Sequence, residues 1–136
     1  MIRLLYISQA KGPINEDEIN KILKSSKKNN PAFDLTGVLI YGGKMFMQVL
    51  EGPEHSVLRQ YVKILDDPRH DDASIIYLSP CNERMFENWA MGVIRNSTID
   101  FQYITQLKSN RLESIHAVFF RNTMKEFLNA LKLEPQ

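Results

Sequence analysis

The sequence predicts an α+β fold, a ferredoxin-like β-α-β-β-α-β-β sandwich with a mixed sheet. Three observations predict it. Period-two alternation marks short strands at residues 2–8, 36–41, 44–51 and 74–79, and two helical stripes interrupt them. Breakers fall between these segments, at Gly12-Pro13, Pro31, Gly42-Gly43, Gly52-Pro53 and Pro68. The 136 residues are 43% hydrophobic and 24% charged, enough apolar material for one core without disulfides or a structural metal.

The first strand puts Ile2, Leu4, Tyr6 and Ser8 on one face. Asn15 followed by Glu18 has capping-box spacing, and the acids at 16 to 18 suit a helix N-terminus. The stripe of this helix runs Ile19, Ile22, Leu23, Ser26 and Asn30, and Pro31 stops it. Gly42-Gly43 joins the second and third strands as a hairpin. The third strand places Phe46, Gln48 and Leu50 together. Val57, Leu58, Tyr61, Ile64 and Leu65 form the second helical stripe, which Asp66-Asp67-Pro68 ends. Residues 74–79 make a fourth strand and 91–95 a fifth. By analogy with the fold, strands one and three lie side by side at the sheet centre beneath both helices.

Beyond residue 99 the pattern turns helical. Phe101, Ile104 and Leu107 suggest a short helix. Ile115, Val118, Phe119, Met124, Phe127, Leu128 and Leu131 suggest a longer one. A sheet with helices on one face leaves the other bare, and this tail is the expected cover. The expected division is a domain over 1–96 and a helical extension over 97–136.

The net charge of +1 sets the chain apart from proteins with a basic nucleic-acid footprint. Cys81 is the single cysteine, so no internal disulfide and no cysteine metal cluster can form. No apolar run approaches the length of about 18 residues that a membrane helix needs. The opening MIRLLYIS is too short for a signal peptide, and Met1 reads as a native start. A cytoplasmic location is expected, with neither membrane nor nucleic acid as partner.

Several polar residues interrupt apolar surfaces. Gln48 lies within Met45-Phe46-Met47-Gln48-Val49-Leu50, where a buried amide needs partners. Ser26 and Asn30 continue the apolar stripe of the first helix, and Tyr6 belongs to the strand beside Gln48. Taken singly, each has an ordinary reading as a core aromatic, an edge amide or a helix terminator. Together they converge near the ends of two helices, which is how small-molecule sites are built.

At this point the sequence resembles the BLUF family of flavin-binding blue-light sensors, in its short stand-alone type. The resemblance rests on YIS at 6–8, KNN at 28–30, LTGVLIY at 35–41, FMQVLEGP at 46–53, DDPRH at 66–70 and RMFENWAMG at 84–92. It covers residues 1 to about 95 in order and register. It implies an isoalloxazine ring between the two helices, from FAD or alternatively FMN or riboflavin. Tyr6 would be the photoactive donor of an electron and a proton, and Gln48 would sit between it and the ring and rearrange after light. Asn30 would bind the carbonyl edge of the ring, Asn29 would flank the ribityl or phosphate side, and Ser26 would support the Tyr6–Gln48 pair. Ile22, Leu39 and Leu50 would keep water away.

Arg69 is expected at the flavin edge. Lys63 is either a solvated helix lysine or a contact near the ring's C2 carbonyl. His70 either caps local backbone or touches the ribityl chain. Trp89 and Met91 share strand parity, and in the family the two compete for the place beside the glutamine, so the resemblance implies a signal relay there. The implied function is photoreception without enzymatic activity. No output domain follows in the sequence, so output would pass through a homo-oligomer or a separate effector. A rival reading is a ferredoxin-like ligand-binding module or enzyme without photochemistry. An acylphosphatase-like loop would need glycines and an arginine near the first strand, and Ser8-Gln9-Ala10 offers neither. An RNA-binding surface would need a basic aromatic run, of which Gly43-Lys44-Met45-Phe46 is a poor version.

Overall fold

A computed structural model of the chain describes residues 1–95 and 116–136, with side chains of the last helix from Asn122 onward. The elements run β1 (Ile2–Ala10), α1 (Glu16–Asn29), a 3-10 turn (Asn30–Phe33), β2 (Thr36–Gly42), β3 (Met45–Gly52), α2 (Glu54–Leu65), β4 (His70–Pro80), β5 (Gly92–Ile94) and α3 (His116–Leu133). The sheet order is β4-β1-β3-β2-β5. All neighbours are antiparallel except β2 and β5, which makes the sheet mixed. The expected adjacency of the first and third strands at the centre is present, with Tyr6 directly opposite Gln48.

Local chemistry sets the boundaries. The Asn15 side chain accepts from the Asp17 N–H at 2.7 Å, which caps α1. The capping bond therefore goes to the second helical residue and not to Glu18 as the spacing predicts. Pro31 does not stop the chain outright. Its fixed φ and missing N–H suit the first turn of the 3-10 segment, which closes at left-handed Asp34 (φ 57°). Gly43, at φ 58°, supplies the left-handed residue of the β2–β3 hairpin.

The fourth strand and the second helical stripe differ most from the sequence reading. β4 begins four residues earlier than the alternation indicates, because its pairing with β1 shifts register and Asp72 takes a positive φ of 53°. Those irregularities break the period that marks a strand. The α2 stripe is narrower than predicted. Val57 and Tyr61 are buried, whereas Leu58 and Leu65 are exposed, since only a thin sector of this short helix faces the sheet.

Each sheet face has its own core. On one, Ile2, Leu4 and Tyr6 of β1 meet Leu39 and Tyr41 of β2, Leu50 of β3, Ile19 and Leu23 of α1, and Val57 and Tyr61 of α2. On the other, Leu5, Ile7, Val38, Ile40, Met47 and Val49 meet Met124, Phe127 and Leu131 of α3. The tail helix thus covers the face that α1 and α2 leave bare. The predicted short helix around Phe101, Ile104 and Leu107 lies outside the described residues.

Phe127 is fully buried at the centre of the second core. Phe127→Ala is expected to cost about 3–5 kcal/mol in a urea melt, the ordinary range for emptying a core phenylalanine site. A change below about 1 kcal/mol would mean that α3 is not docked on the sheet in solution.

Candidate functional site

Between α1, α2 and the sheet lies a cavity of about 350 Å³, within the range of small-molecule sites. Its floor is Tyr6 from β1, Leu39 from β2, and Phe46 and Gln48 from β3. Lys21, Ile22, Ser25 and Ser26 of α1 form one wall, and Gln60, Lys63 and Ile64 of α2 the other. Asp67, Arg69 and His70 close the end.

The Tyr6 hydroxyl donates to Gln48 Oε1 at 2.5 Å, in a buried position. Gln48 Nε2 donates to Met91 Sδ at 3.5 Å. One side-chain amide therefore holds Tyr6 with its acceptor and Met91 with its donor. Its second N–H and second lone pair are not used by these two bonds. The Tyr61 ring lies 5.3 Å from that of Tyr6, tilted by 51°. Burial, with the Tyr61 phenol and the Asp67 carboxylate nearby, holds the Tyr6 hydroxyl well above the ordinary phenol value. Tyr6 is therefore a neutral donor across the physiological range.

His70 is buried and fully engaged. Its Nε2 meets the Ile64 carbonyl at 2.6 Å and its Nδ1 meets Ser8 Oγ at 2.7 Å. A carbonyl only accepts, so Nε2 carries a proton; in the neutral ring Nδ1 then accepts from Ser8. His70 thus makes the local backbone contact of one sequence reading, and its ring also lines the cavity. Arg69 forms a bidentate pair with Asp67, Nε to Oδ1 at 2.9 Å and Nη2 to Oδ2 at 2.5 Å. The Arg69 hydrogen bonds hold the Asp67 carboxyl below the usual carboxylate range, and Asp67 in turn raises Arg69. Lys63 lines the cavity from an exposed position, with Nζ 5.8 Å from the centre of the Phe33 ring.

The structure brings Tyr6, Gln48, Ser26, Lys63, Arg69 and His70 to one cavity. Two predicted cofactor contacts are placed differently. Asn30 is buried at the C-cap of α1, but its Nδ2 donates to the Ala90 carbonyl at 2.8 Å, and it is not part of the cavity wall. Asn29 is exposed and donates to Ser25 Oγ at 3.2 Å. Leu50 also lies outside the wall, fully buried in the core beneath it. Trp89 and Met91 do not share a face as their parity predicts. β5 begins only at Gly92, so residues 89–91 are not in strand geometry. Met91 is buried beside Gln48, and Trp89 packs against the opposite core with α3.

Sequence reasoning missed Lys21, Ser25, Gln60 and Asp67. Lys21 and Ser25 each precede a recognised position, Ile22 and Ser26, so the helical period could have found them. Gln60 stands one residue before Tyr61. Asp67 stands two residues before Arg69 and takes its backbone N–H at 2.9 Å, a local turn signal.

A flat polar aromatic ring fits this donor set. Ile22, Leu39 and Ile64 offer apolar contact, Gln48 and Ser26 offer hydrogen bonds, and Lys21 and Lys63 offer positive charge for a phosphate-bearing tail. Fold and site together define an α+β domain with a small-molecule-sized cavity over a buried Tyr–Gln pair. The model of the BLUF family, sensors of blue-light using FAD, matches residues 1–92. The chain belongs to that family of blue-light flavin sensors. Among curated relatives, photoactivated adenylate cyclase subunit beta of Euglena longa is 36% identical over 83 residues, covering 61% of this chain and 10% of that protein. Subunit alpha of Euglena gracilis is 36% identical over 86 residues, covering 63% of this chain and 8% of that protein. The chain thus spans about one-tenth of the length of these relatives. A bacterial light-regulated adenylyl cyclase structure is 35% identical with a TM-score of 0.69, covering 93% of this chain and 36% of the other. BlsA in its photo-activated state is 28% identical with a TM-score of 0.72, covering 99% and 96%. BlrB in its dark state is 25% identical with a TM-score of 0.74, covering 97% and 96%. Among the described residues, no helix is long and apolar enough to cross a membrane.

The raised phenols predict alkaline sensitivity. Burial and the Glu16 carboxylate push Tyr41 up to about 12, and burial also raises Tyr61. An unfolded tyrosine titrates near about 10. Above that pH the unfolded chain binds fewer protons than the folded one, so stability falls as pH rises from there through the Tyr41 value. Urea melts at roughly pH 8 and pH 11 are expected to show that fall, and Tyr41→Phe is expected to shrink it. An equal fall in Tyr41→Phe would contradict the assignment to Tyr41.

Proposed function

We propose that the chain senses blue light by holding FAD in the α1–α2 cavity and switching the hydrogen bonds of Gln48. The observation that carries this reading is the buried Tyr6 hydroxyl bonded to Gln48 Oε1 in the cavity floor. Bound flavin supplies the blue-light absorption and the redox partner for a nearby phenol. Tyr6 is the donor residue, because a phenol is oxidisable and its proton already has an acceptor in Gln48. Gln48 is the switch, because an amide carries donor and acceptor on one group. Rotation or tautomerisation exchanges the two without moving the backbone.

The remaining roles divide by position. Ser26 supports the Tyr6–Gln48 pair from α1. Lys63 and the Arg69–Asp67 pair meet the polar edge and the tail, and His70 fixes the end of the wall between Ser8 and Ile64. Asn30 lies one helical turn beyond Ser26 and is proposed to exchange its bond with Ala90 for the carbonyl edge of the ring, with Asn29 at the tail side. FAD is the flavin proposed, with FMN or riboflavin as alternatives, and its tail would pass Lys21 and Lys63 at the opening that adjoins the cavity, where Glu18, Asp66 and the Arg69–Asp67 pair also lie. Met91 and Trp89 form the relay, one against the switch and the other against α3.

The chain itself is proposed to be a sensor and not an enzyme, acting in the cytoplasm. Residues 1–96 are its flavin-binding domain and 97–136 an extension that passes the signal to a second copy or an effector. The Euglena relatives are named as photoactivated adenylate cyclases, which supports a coupling of this kind of sensor to an effector.

Purified flavin-loaded protein is expected to be yellow, with an absorption band that moves reversibly to the red under blue light. Tyr6→Phe and Gln48→Ala are expected to retain flavin and lose the shift. A protein that stays colourless after flavin is added, or an unchanged shift in Tyr6→Phe, would contradict the proposal.

A further inference from the structure

Glu51 has no part in the cavity, yet it is a carboxylate near the end of the central strand β3 with no exposed surface. A lone buried carboxylate is too costly to persist, so its partners carry its meaning. Oε1 accepts from Thr36 Oγ1 at 3.0 Å and from the Phe86 N–H at 2.6 Å. Oε2 accepts from Arg3 Nε at 3.1 Å and from the Met85 N–H at 3.0 Å. Two of the four donors are consecutive peptide groups in the β4–β5 connection. The carboxylate thus fastens that connection to β3. Arg3 and Arg84 secure its flanks, donating to the Glu83 and Asp34 carbonyls at 2.9 and 2.8 Å.

From this anchor the chain reaches the switch in five residues. The Trp89 N–H returns to the Phe86 carbonyl at 3.0 Å, and the Trp89 carbonyl accepts from the Gly37 N–H at 3.1 Å. Ala90 is held by Asn30, and Met91 then meets Gln48. Gln48 and Glu51 are three residues apart on β3 and project to opposite faces. One strand therefore holds both the amide that moves and the root of the segment it touches. That root fixes where Met91 meets Gln48.

We propose that Glu51 is the positioning residue that sets Met91 against Gln48, through its bonds to the Met85 and Phe86 N–H groups. The proposal rests on the reading of Gln48 as the switch. It is tested in flavin-loaded full-length chain carrying methyl-13C methionine, with the Met91 signal assigned by Met91→Leu. Glu51→Gln removes the charge and turns one acceptor into a donor facing peptide N–H groups. It is expected to keep the light-induced flavin shift, to move or broaden the dark-state Met91 methyl signal, and to change the dark-recovery rate by about fivefold or more. Arg3→Met removes the ion pair and the bond to the Glu83 carbonyl but leaves both peptide bonds to Glu51, and is expected to retain the wild-type Met91 signal and recovery. Should Glu51→Gln not fold, Glu51→Asp keeps the charge but draws it one methylene back from Met85 and Phe86, and is expected to give the same two changes. Wild-type Met91 signal and recovery in the Glu51 variant would overturn the proposal, as would the same changes in Arg3→Met. A wild-type protein without any light-induced shift would instead defeat the functional reading itself.

Discussion

The antiparallel register of β1 on β3 is the constraint on which the rest depends. It sets Tyr6 opposite Gln48, and directly opposed side chains lie close enough to bond. A slip of one residue would turn every side chain of one strand to the other face. Here such a slip would put Tyr6 into the α3 core and carry Leu5 or Ile7 to the cavity. Both faces of the central strands are buried, so the apolar residues on each side resist it. The site is thus specified by the same packing that specifies the fold.

Much of this was legible in the chain. Alternation in residues 2–8 and 44–51 identified the two strands and put Tyr6, Phe46 and Gln48 on the correct face. The stripe of α1 placed Ser26 at the wall. What escaped had local physical causes. Asn30 continues the helical stripe, but the chain tightens into a 3-10 turn there, and its amide finds Ala90, a partner 60 residues away. Parity could not separate Trp89 from Met91, because parity holds only inside a strand and β5 starts one residue later. The alternation of β4 was hidden by its shifted register. The family resemblance supplied the chemistry of the Tyr6–Gln48 pair, which spacing alone does not contain.

Gln48 is shared between an oxygen donor and a sulfur acceptor of very different strength. Tyr6 takes its carbonyl in a short bond, while Met91 Sδ is a weak acceptor at 3.5 Å. An amide held firmly at one end and loosely at the other can reorganise without breaking the fold. Around it the structure is stiff: His70 ties Ser8 to the end of α2, and Glu51 ties the β4–β5 connection to β3. The neighbouring α3 packs against Trp89 and the far sheet face.

The proposed switch is the hydrogen bond between Tyr6 and Gln48, rearranged by light. Proton NMR of the flavin-loaded protein reads it most directly, since a short, buried O–H···O bond shifts its proton far downfield and slows exchange with water. One such resonance is expected in the dark, absent in Tyr6→Phe, that moves under blue light and returns with dark recovery. A dark protein without that resonance, or one in which blue light leaves it unchanged while the flavin band shifts, would rule out a light-switched Tyr6–Gln48 bond.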